Sequence, residues 1–300
     1  MAGVALVGLG EVGRVFAEDL AARGVGVTPW DIAFAEPGSR ASRNAAALGL
    51  APAVGPHEAV AGSDLVVSAV TAANCLAAAE SVCGGLAPGA WFFDLNSSSP
   101  AQKQAAAAAV EAAGGRYVEA ALMSPIGPRR LDSPFLLGGP HAADFVTQAS
   151  RFGLTSTTLF SDTVGRAAAT KLCRSVVVKG LEALLTESVL AARSYGVEAE
   201  VLDSLSNILP PADWERVTQY FVSRSLQHGA RRAEEMLEAA ATVADAGIEP
   251  LMSRAAAQRQ SWAAQHADAL SEPDLVAMAD HILRAVRAES DAAATQEPAP

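Results

Sequence analysis

Val4-Ala-Leu-Val-Gly-Leu-Gly-Glu-Val-Gly-Arg14 is the stretch that decides the fold. Val4 to Val7 is short, apolar and rich in β-branched residues, as a parallel strand buried on both faces requires. Gly8, Gly10 and Gly13 follow in G-x-G-x-x-G spacing, and Val12, Val15, Phe16 and Leu20 then recur with the period of a helix. Each glycine suits a task. Gly8 permits a tight turn out of the strand, Gly10 leaves the backbone open to a pyrophosphate, and Gly13 lets the helix pack close to the strand. The unpaired N–H groups at the helix start, aided by the helix dipole, favour a negative charge.

The surroundings strengthen the motif. A second strand, Val25 to Trp30, ends at Asp31, where a carboxylate accepts from ribose hydroxyls. The stretch therefore reads as a dinucleotide-binding unit, with Gly8, Leu9, Gly10, Glu11, Val12 and Asp31 as expected cofactor contacts. A loop, Ala35 to Arg43, leads into a short helix, Asn44 to Leu48, and its Arg40 and Arg43 are either solvated charges at the helix start or partners for a 2′-phosphate. Asp31 repels such a phosphate, so NAD is preferred to NADP, with NADP possible.

Composition narrows the class. A chain of 300 residues, 50% of them hydrophobic, forms one large or two medium domains. A net charge of −11 argues against nucleic-acid and anionic-membrane partners and leaves a small anionic substrate open. Cys75, Cys83 and Cys173 form no C-x-x-C pair and no cluster with metal spacing, so buried free thiols and no metal are expected. The chain begins on a core strand, without a targeting segment or a membrane-spanning run, which points to the cytoplasm.

Strand and helix alternate to about residue 161. Leu65 to Val70 is a strand that ends at Thr71-Ala-Ala-Asn74, and Val70, Thr71 and Asn74 are further expected cofactor contacts. A helix is expected over Leu76 to Cys83. Trp91 to Leu95 is a buried strand followed by Asn96-Ser-Ser-Ser-Pro100, in which Ser99 and Pro100 suit an N-cap and first helical position. Arg116 to Leu122 is a further strand leading into the loop Met123-Ser-Pro-Ile-Gly-Pro128. Phe135 to Gly139 is expected at the sheet edge, His141 begins a helix, and Thr157 to Phe160 is the last strand. Beyond Ser161 the pattern is helical: residues 165–195, Asp203 to Leu209, Pro211 to Ala240, Pro250 to Gln265 and Pro273 to Arg287. The first of these is apolar over much of its girth, which predicts burial in a bundle or a homodimer core. The expectation is an α/β chain: a Rossmann doubly wound sheet over 1–161, an all-helical substrate and dimerisation domain over 162–287, and a disordered tail over 288–300.

Gly165-Arg-Ala-Ala-Ala-Thr-Lys171 resembles the G-x-x-x-x-x-K stretch of the β-hydroxyacid dehydrogenase and 6-phosphogluconate dehydrogenase superfamily. Asp94-Leu-Asn-Ser-Ser-Ser-Pro100 resembles that family's D-x-S-T-x-x-P segment, and Ala121-Leu-Met-Ser-Pro-Ile126 stands where the family has A-P-V-S-G-G. The order is right over nearly the whole chain. The helical half, with His228-Gly-Ala-Arg-Arg-Ala-Glu-Glu-Met236, looks like a divergent branch. The resemblance implies an NAD(P)-dependent oxidoreductase that interconverts a hydroxy acid and its oxo acid. It makes Lys171 the acid/base, Asn96 and Ser97 contacts to substrate and nicotinamide, and Ser124 the grip on a substrate carboxylate. Departures are plain: Pro125 and Ile126 replace a double glycine, Ser175 replaces an asparagine, and Asn96 replaces a serine. Proline supplies no N–H.

Lys171 has small or apolar neighbours, Ala167, Ala168, Ala169, Leu172 and Cys173, and partial desolvation lowers a lysine pKa. A lysine snorkelling to solvent is the plain alternative, and Lys179, two turns on, is the rival base. Ser175 lies one turn beyond Lys171 on the same face and can bind a substrate oxygen. His228, Arg231, Arg232 and Glu235 share a face, as surface ion pairs or, through His228 and Arg231, as an anion site. Arg129-Arg130 is a second candidate anion site. An imine reductase of the same architecture and a silent NAD-binding regulator are the alternative functions.

Overall fold

The structure is a computed structural model and describes residues 3–205 and 213–294. The expected helix Asp203 to Leu209, the start of the one from Pro211, and the last six residues of the expected tail fall wholly or partly outside them. The chain divides into two compact units between Cys173 and Arg174, inside a long helix.

The first unit is a seven-stranded sheet in the order β2-β1-β3-β4-β5-β6-β7. Its strands are β1 (Val4–Val7), β2 (Val27–Trp30), β3 (Leu65–Ser68), β4 (Trp91–Asp94), β5 (Arg116–Leu122), β6 (Phe135–Gly138) and β7 (Thr157–Ser161). Its helices are α1 (Glu11–Ala22), α2 (Arg40–Leu48), α3 (Pro56–Val60), α4 (Cys75–Val82), α5 (Pro100–Ala112), α6 (Ile126–Arg129) and α7 (Ala142–Ala149). Alternate residues of each strand feed two cores. Val4, Leu6, Phe93 and Phe135 join Phe16 and Phe145 on one face, and Ala5, Val7, Val66, Phe92 and Tyr117 join Val110 on the other. The register sets Trp30, Val7, Ser68, Asp94 and Glu119 side by side, so the loops that leave β1 to β4 emerge along one margin. In open α/β sheets ligands sit at that margin.

Two expectations about this unit are corrected. Of the three thiols expected to be buried, Cys75 is buried, while Cys83 is half-buried and Cys173 exposed. β6 is not an edge strand: it pairs antiparallel with β5 and parallel with β7, and it is the one reversal in the described sheet. β2 and β7 are the outer strands. β2 carries Pro29, and β7 exposes Leu159 and Phe160.

α8 (Arg166–Tyr195) leaves the sheet unit. The second unit continues with α9 (Glu198–Ser204), α10 (Trp214–Asp245), α11 (Leu251–Ala263) and α12 (Leu275–Ala294). Residues 288–294, expected in a disordered tail, continue α12. Val189, Leu190, Val222, Leu226, Met278 and Ile282 are among its core residues. α10 and α11 approach closely at Gly229, where a Cβ would lie 2.3 Å from the Gln260 carbonyl oxygen. Among the described residues no helix is long and apolar enough to cross a membrane.

Candidate functional site

Gly8 turns with φ +94°, and a Cβ there would lie 2.4 Å from the Ala69 carbonyl oxygen; one on Gly13 would lie 2.0 Å from that of Gly8. These two glycines are required by packing. Gly10 is different: a Cβ there meets nothing within 4 Å, so the space over the first turn of α1 is open. The loop is braced from both sides. Leu9 N–H donates to Asp31 Oδ2 at 2.8 Å, while Asp31 Oδ1 accepts from Ala33 N–H at 2.9 Å. Buried Asn44, on α2, donates through Nδ2 to the carbonyl oxygen of Leu9 at 2.8 Å. A cavity of about 620 Å³ lies past β2 and is lined by Trp30, Asp31, Phe34 and Ala45 among others. Arg43 donates to the Gly38 carbonyl and Arg40 is exposed. Open space over a helix N-terminus, a braced loop and an adjoining cavity fit a dinucleotide.

Asn96 is buried at the end of β4, where its Oδ1 accepts from Val70 N–H at 2.7 Å and its Nδ2 donates to Ser68 Oγ at 2.9 Å. Both ends of the carboxamide are thus engaged in tying β4 to β3. Thr71 Oγ1 accepts from Asn74 Nδ2 at 2.9 Å, and both residues are exposed. Ser99 and Pro100 stand at the N-cap and first position of α5.

Lys171, on the second turn of α8, donates through Nζ to Ser97 Oγ at 2.6 Å. The two residues line a cavity of about 10 Å³, which also borders Ser98, Lys103 and Glu119. That is room for about one water. Below it lies a buried polar network. Lys103 Nζ sits 2.8 Å from Asp94 Oδ1 and donates to the Asp94 carbonyl at 3.1 Å. Tyr117 OH donates to Asp94 Oδ2 at 2.6 Å, and Cys75 Sγ lies 3.3 Å from the same oxygen. Burial, then the Asp94 charge, pushes the Cys75 thiol up to about 12, and the same two causes hold the Tyr117 phenol well above its ordinary value. For Lys103 burial is the largest single influence and opposes the charge, but Asp94, Cys75 and Glu119 together outweigh it and the amine stays above the usual lysine range. Glu119 Oε2 accepts from Gly165 N–H at 2.7 Å and Oε1 from Ala168 N–H at 2.6 Å. Burial raises the Glu119 carboxyl against the pull of Lys103 and of these two N–H groups.

Sequence reasoning did not reach Lys103, Glu119, Tyr117 or Asn44. One signal was present: a glutamate inside the apolar strand Tyr117-Val-Glu-Ala-Ala121, since a buried acid needs partners.

Ser124 lies at the end of β5, with Oγ 3.4 Å from the Pro125 carbonyl, and does not line the Lys171 cavity. Arg130 is not an anion site: Nε donates to Asp19 Oδ1 at 2.6 Å and Nη2 to Glu18 Oε2 at 2.7 Å, clasping the loop to α1. It does so at φ 51°, a strained conformation for a side-chain-bearing residue. In the helical unit, Ser175 Oγ accepts from Lys179 Nζ at 3.5 Å, and Lys179 pairs with Glu235. Arg231 Nη1 donates to Glu235 Oε1 at 2.5 Å, and Arg232 pairs with Glu182. Arg232, Glu182 and Glu235 are buried and Arg231 is exposed, so of the surface ion pairs expected from the sequence only Arg231–Glu235 reaches the surface. Burial pushes the Lys179 amine down, partly offset by Glu235. His228 is half-buried.

Residues 3–124 match the NAD binding domain of 6-phosphogluconate dehydrogenase, and residues 192–263 match a domain of unknown function, DUF1932. No curated protein sequence matches the chain at a significant level. A conserved hypothetical protein from Sinorhizobium meliloti 1021 is 32% identical, with 94% of this chain and 97% of that one covered and a TM-score of 0.70. A Mycobacterium tuberculosis 3-hydroxyisobutyrate dehydrogenase, solved with L-serine, shares the fold at 22% identity, TM-score 0.71, covering 95% of this chain and 99% of that one. A Streptomyces aurantiacus imine reductase shares it at 22% identity, TM-score 0.53, covering 94% and 99%. Glycine loop, strand-end polar cluster and helical half together place the chain: it belongs to the 6-phosphogluconate dehydrogenase-like superfamily of NAD-binding proteins, in the branch whose helical half carries the DUF1932 domain.

Proposed function

We propose that the chain is an NAD(P)-dependent oxidoreductase that interconverts a small hydroxy acid and its oxo acid, with Lys171 as general acid/base. The observation that carries this reading is the Lys171 Nζ–Ser97 Oγ contact of 2.6 Å, at the strand margin where the glycine loop also stands. Gly8 to Val12 and Asp31 would hold the dinucleotide, with Asn96 fixing the backbone of Val70 beside it. NAD is preferred, because the Asp31 carboxylate would repel a 2′-phosphate and accept from a free 2′-hydroxyl. When bound, the nicotinamide ring accepts or gives a hydride. In oxidation the neutral Lys171 amine takes the substrate hydroxyl proton; in reduction the ammonium returns it to the carbonyl oxygen. Ser97 keeps the amine aimed during both. Ser124 is the contact for the substrate carboxylate in this reading; Ser175 and Arg231 act through the network that they form with Lys179 and Glu235, and His228 is a further candidate contact. A homodimer is proposed from α8, whose Val177, Leu181 and Leu184 are exposed at i, i+4 and i+7.

The test is a panel of 2-hydroxy, 3-hydroxy and sugar acids, with a cyclic imine beside them, assayed with NAD(H) and NADP(H). Turnover of one hydroxy acid is expected, falling about 10²–10⁴-fold in Lys171→Ala. Activity that survives the substitution intact sinks the assignment, and turnover of the imine alone moves it to imine reduction.

A further inference from the structure

The chain has three lysines, Lys103, Lys171 and Lys179, against nineteen arginines. None of the three is exposed. Lys103 and Lys171 border one small cavity, and the carboxylate bordering it with them is Glu119. Glu119 reaches from β5 to both ends of the first turn of α8, Gly165 N–H and Ala168 N–H. N–H groups in a first helical turn have no partner within their own helix. A buried carboxylate on a rigid strand thus fixes where α8 begins, and Lys171 follows one turn later.

Resting on the acid/base reading of Lys171, we propose that Glu119 is a positioning residue: it anchors the turn of α8 that precedes the lysine and supplies the negative charge of the cavity the amine shares. The charged groups that line this cavity are Lys103 on α5, Glu119 on β5 and Lys171 itself, with Asp94 on β4 behind Lys103. Glu119 opposes the like charge of Lys103 on the Lys171 ammonium. It is fully buried and lies against Gly138, where a Cβ would come within 2.5 Å of Oε2.

The test uses the full chain labelled with ¹³C at lysine Cε, which gives three signals, assigned by Lys171→Ala and Lys179→Ala. Glu119→Gln removes the charge and can accept only one of the two N–H bonds. In it the Ala168 amide is expected to lose hydrogen-exchange protection, and the Lys171 signal to titrate about one unit lower. Gly138→Ala displaces the carboxylate but keeps its charge. It serves if Glu119→Gln does not fold: the Gly165 amide is expected to lose protection and the Lys171 signal to move, its midpoint holding. If the amides lose protection while the Lys171 signal stays as in wild type, Glu119 is a helix cap alone and the proposal is overturned. Failure of the function reading shows separately, as the expected Lys171 shift in a chain that turns over no hydroxy acid.

Discussion

Replacing Lys103 by methionine keeps the length and apolar stem of the side chain and removes only its charge. The amine lost is 2.8 Å from Asp94 Oδ1 and 3.1 Å from the Asp94 carbonyl. Asp94 is left fully buried, with Tyr117 OH, Cys75 Sγ and Asn96 N–H still beside it but no counter-charge. Removing one partner of a buried ion pair costs about 3–5 kcal/mol, because the other charge stays behind uncompensated. Against a whole-protein stability of about 5–15 kcal/mol this is a large fraction. The assay is urea unfolding in a Trp214→Phe, Trp262→Phe background, so that emission comes from Trp30 and Trp91 in the sheet unit. At a slope of about 2 kcal/mol per molar urea, the midpoint should fall by about 1.5–2.5 M. Adding Asp94→Asn should recover more than half of this, since the amide oxygen still accepts from Tyr117 and no charge is stranded. A fall below about 0.5 M in the single variant would refute the view that Lys103 neutralises Asp94.

Two further outcomes follow from other parts of the molecule. Gly10→Ala should fold with unchanged melting temperature yet lose NADH affinity, whereas Gly8→Ala, at φ +94° and against the Ala69 carbonyl, should lose at least about 2 kcal/mol of stability. Wild-type NADH affinity in Gly10→Ala, read by fluorescence titration, would remove the phosphate from the glycine loop. His281 bonds Glu272 Oε1 at 2.9 Å and Asp268 Oδ2 at 3.0 Å, and these two carboxylates raise its pKa above 6.5. A raised folded pKa adds stability that is complete below 6.5 and lost as pH rises through the folded value. The urea-midpoint difference between wild type and His281→Asn should therefore narrow as pH rises, and a constant difference would contradict the pairing.

The parts legible in the sequence were those with a short-range signature. Gly8, Gly10 and Gly13 are spaced by local backbone needs, and the strand before them and helix after them confirm the reading. Lys171 and Ser97 were singled out by the family resemblance rather than by spacing, and the structure puts the two in hydrogen-bond contact. Asn96 was found, but its engagement with Val70 and Ser68 was not, because the partner comes from a different strand. Glu119 and Lys103 were missed because their partners, 46 and 9 residues away, are brought to them only by the packing of a helix against the sheet. β6 was misplaced at the edge because a short apolar run does not disclose which strand will pair on its far side. The ion pairs of α10 were taken as surface contacts because helical spacing shows which residues share a face, not what that face packs against.

The two outer strands face the solvent unequally, and this bears on how the protein behaves when concentrated. Pro29 interrupts the row of donors along β2, a substitution that blunts a strand against pairing with another chain. β7 has no such guard, since Thr157, Thr158, Leu159 and Phe160 offer a β-prone run with two exposed apolar side chains. Self-association of partly opened molecules is expected to start at β7, and a charged residue in place of Leu159 is the change that would improve handling without touching the cofactor margin.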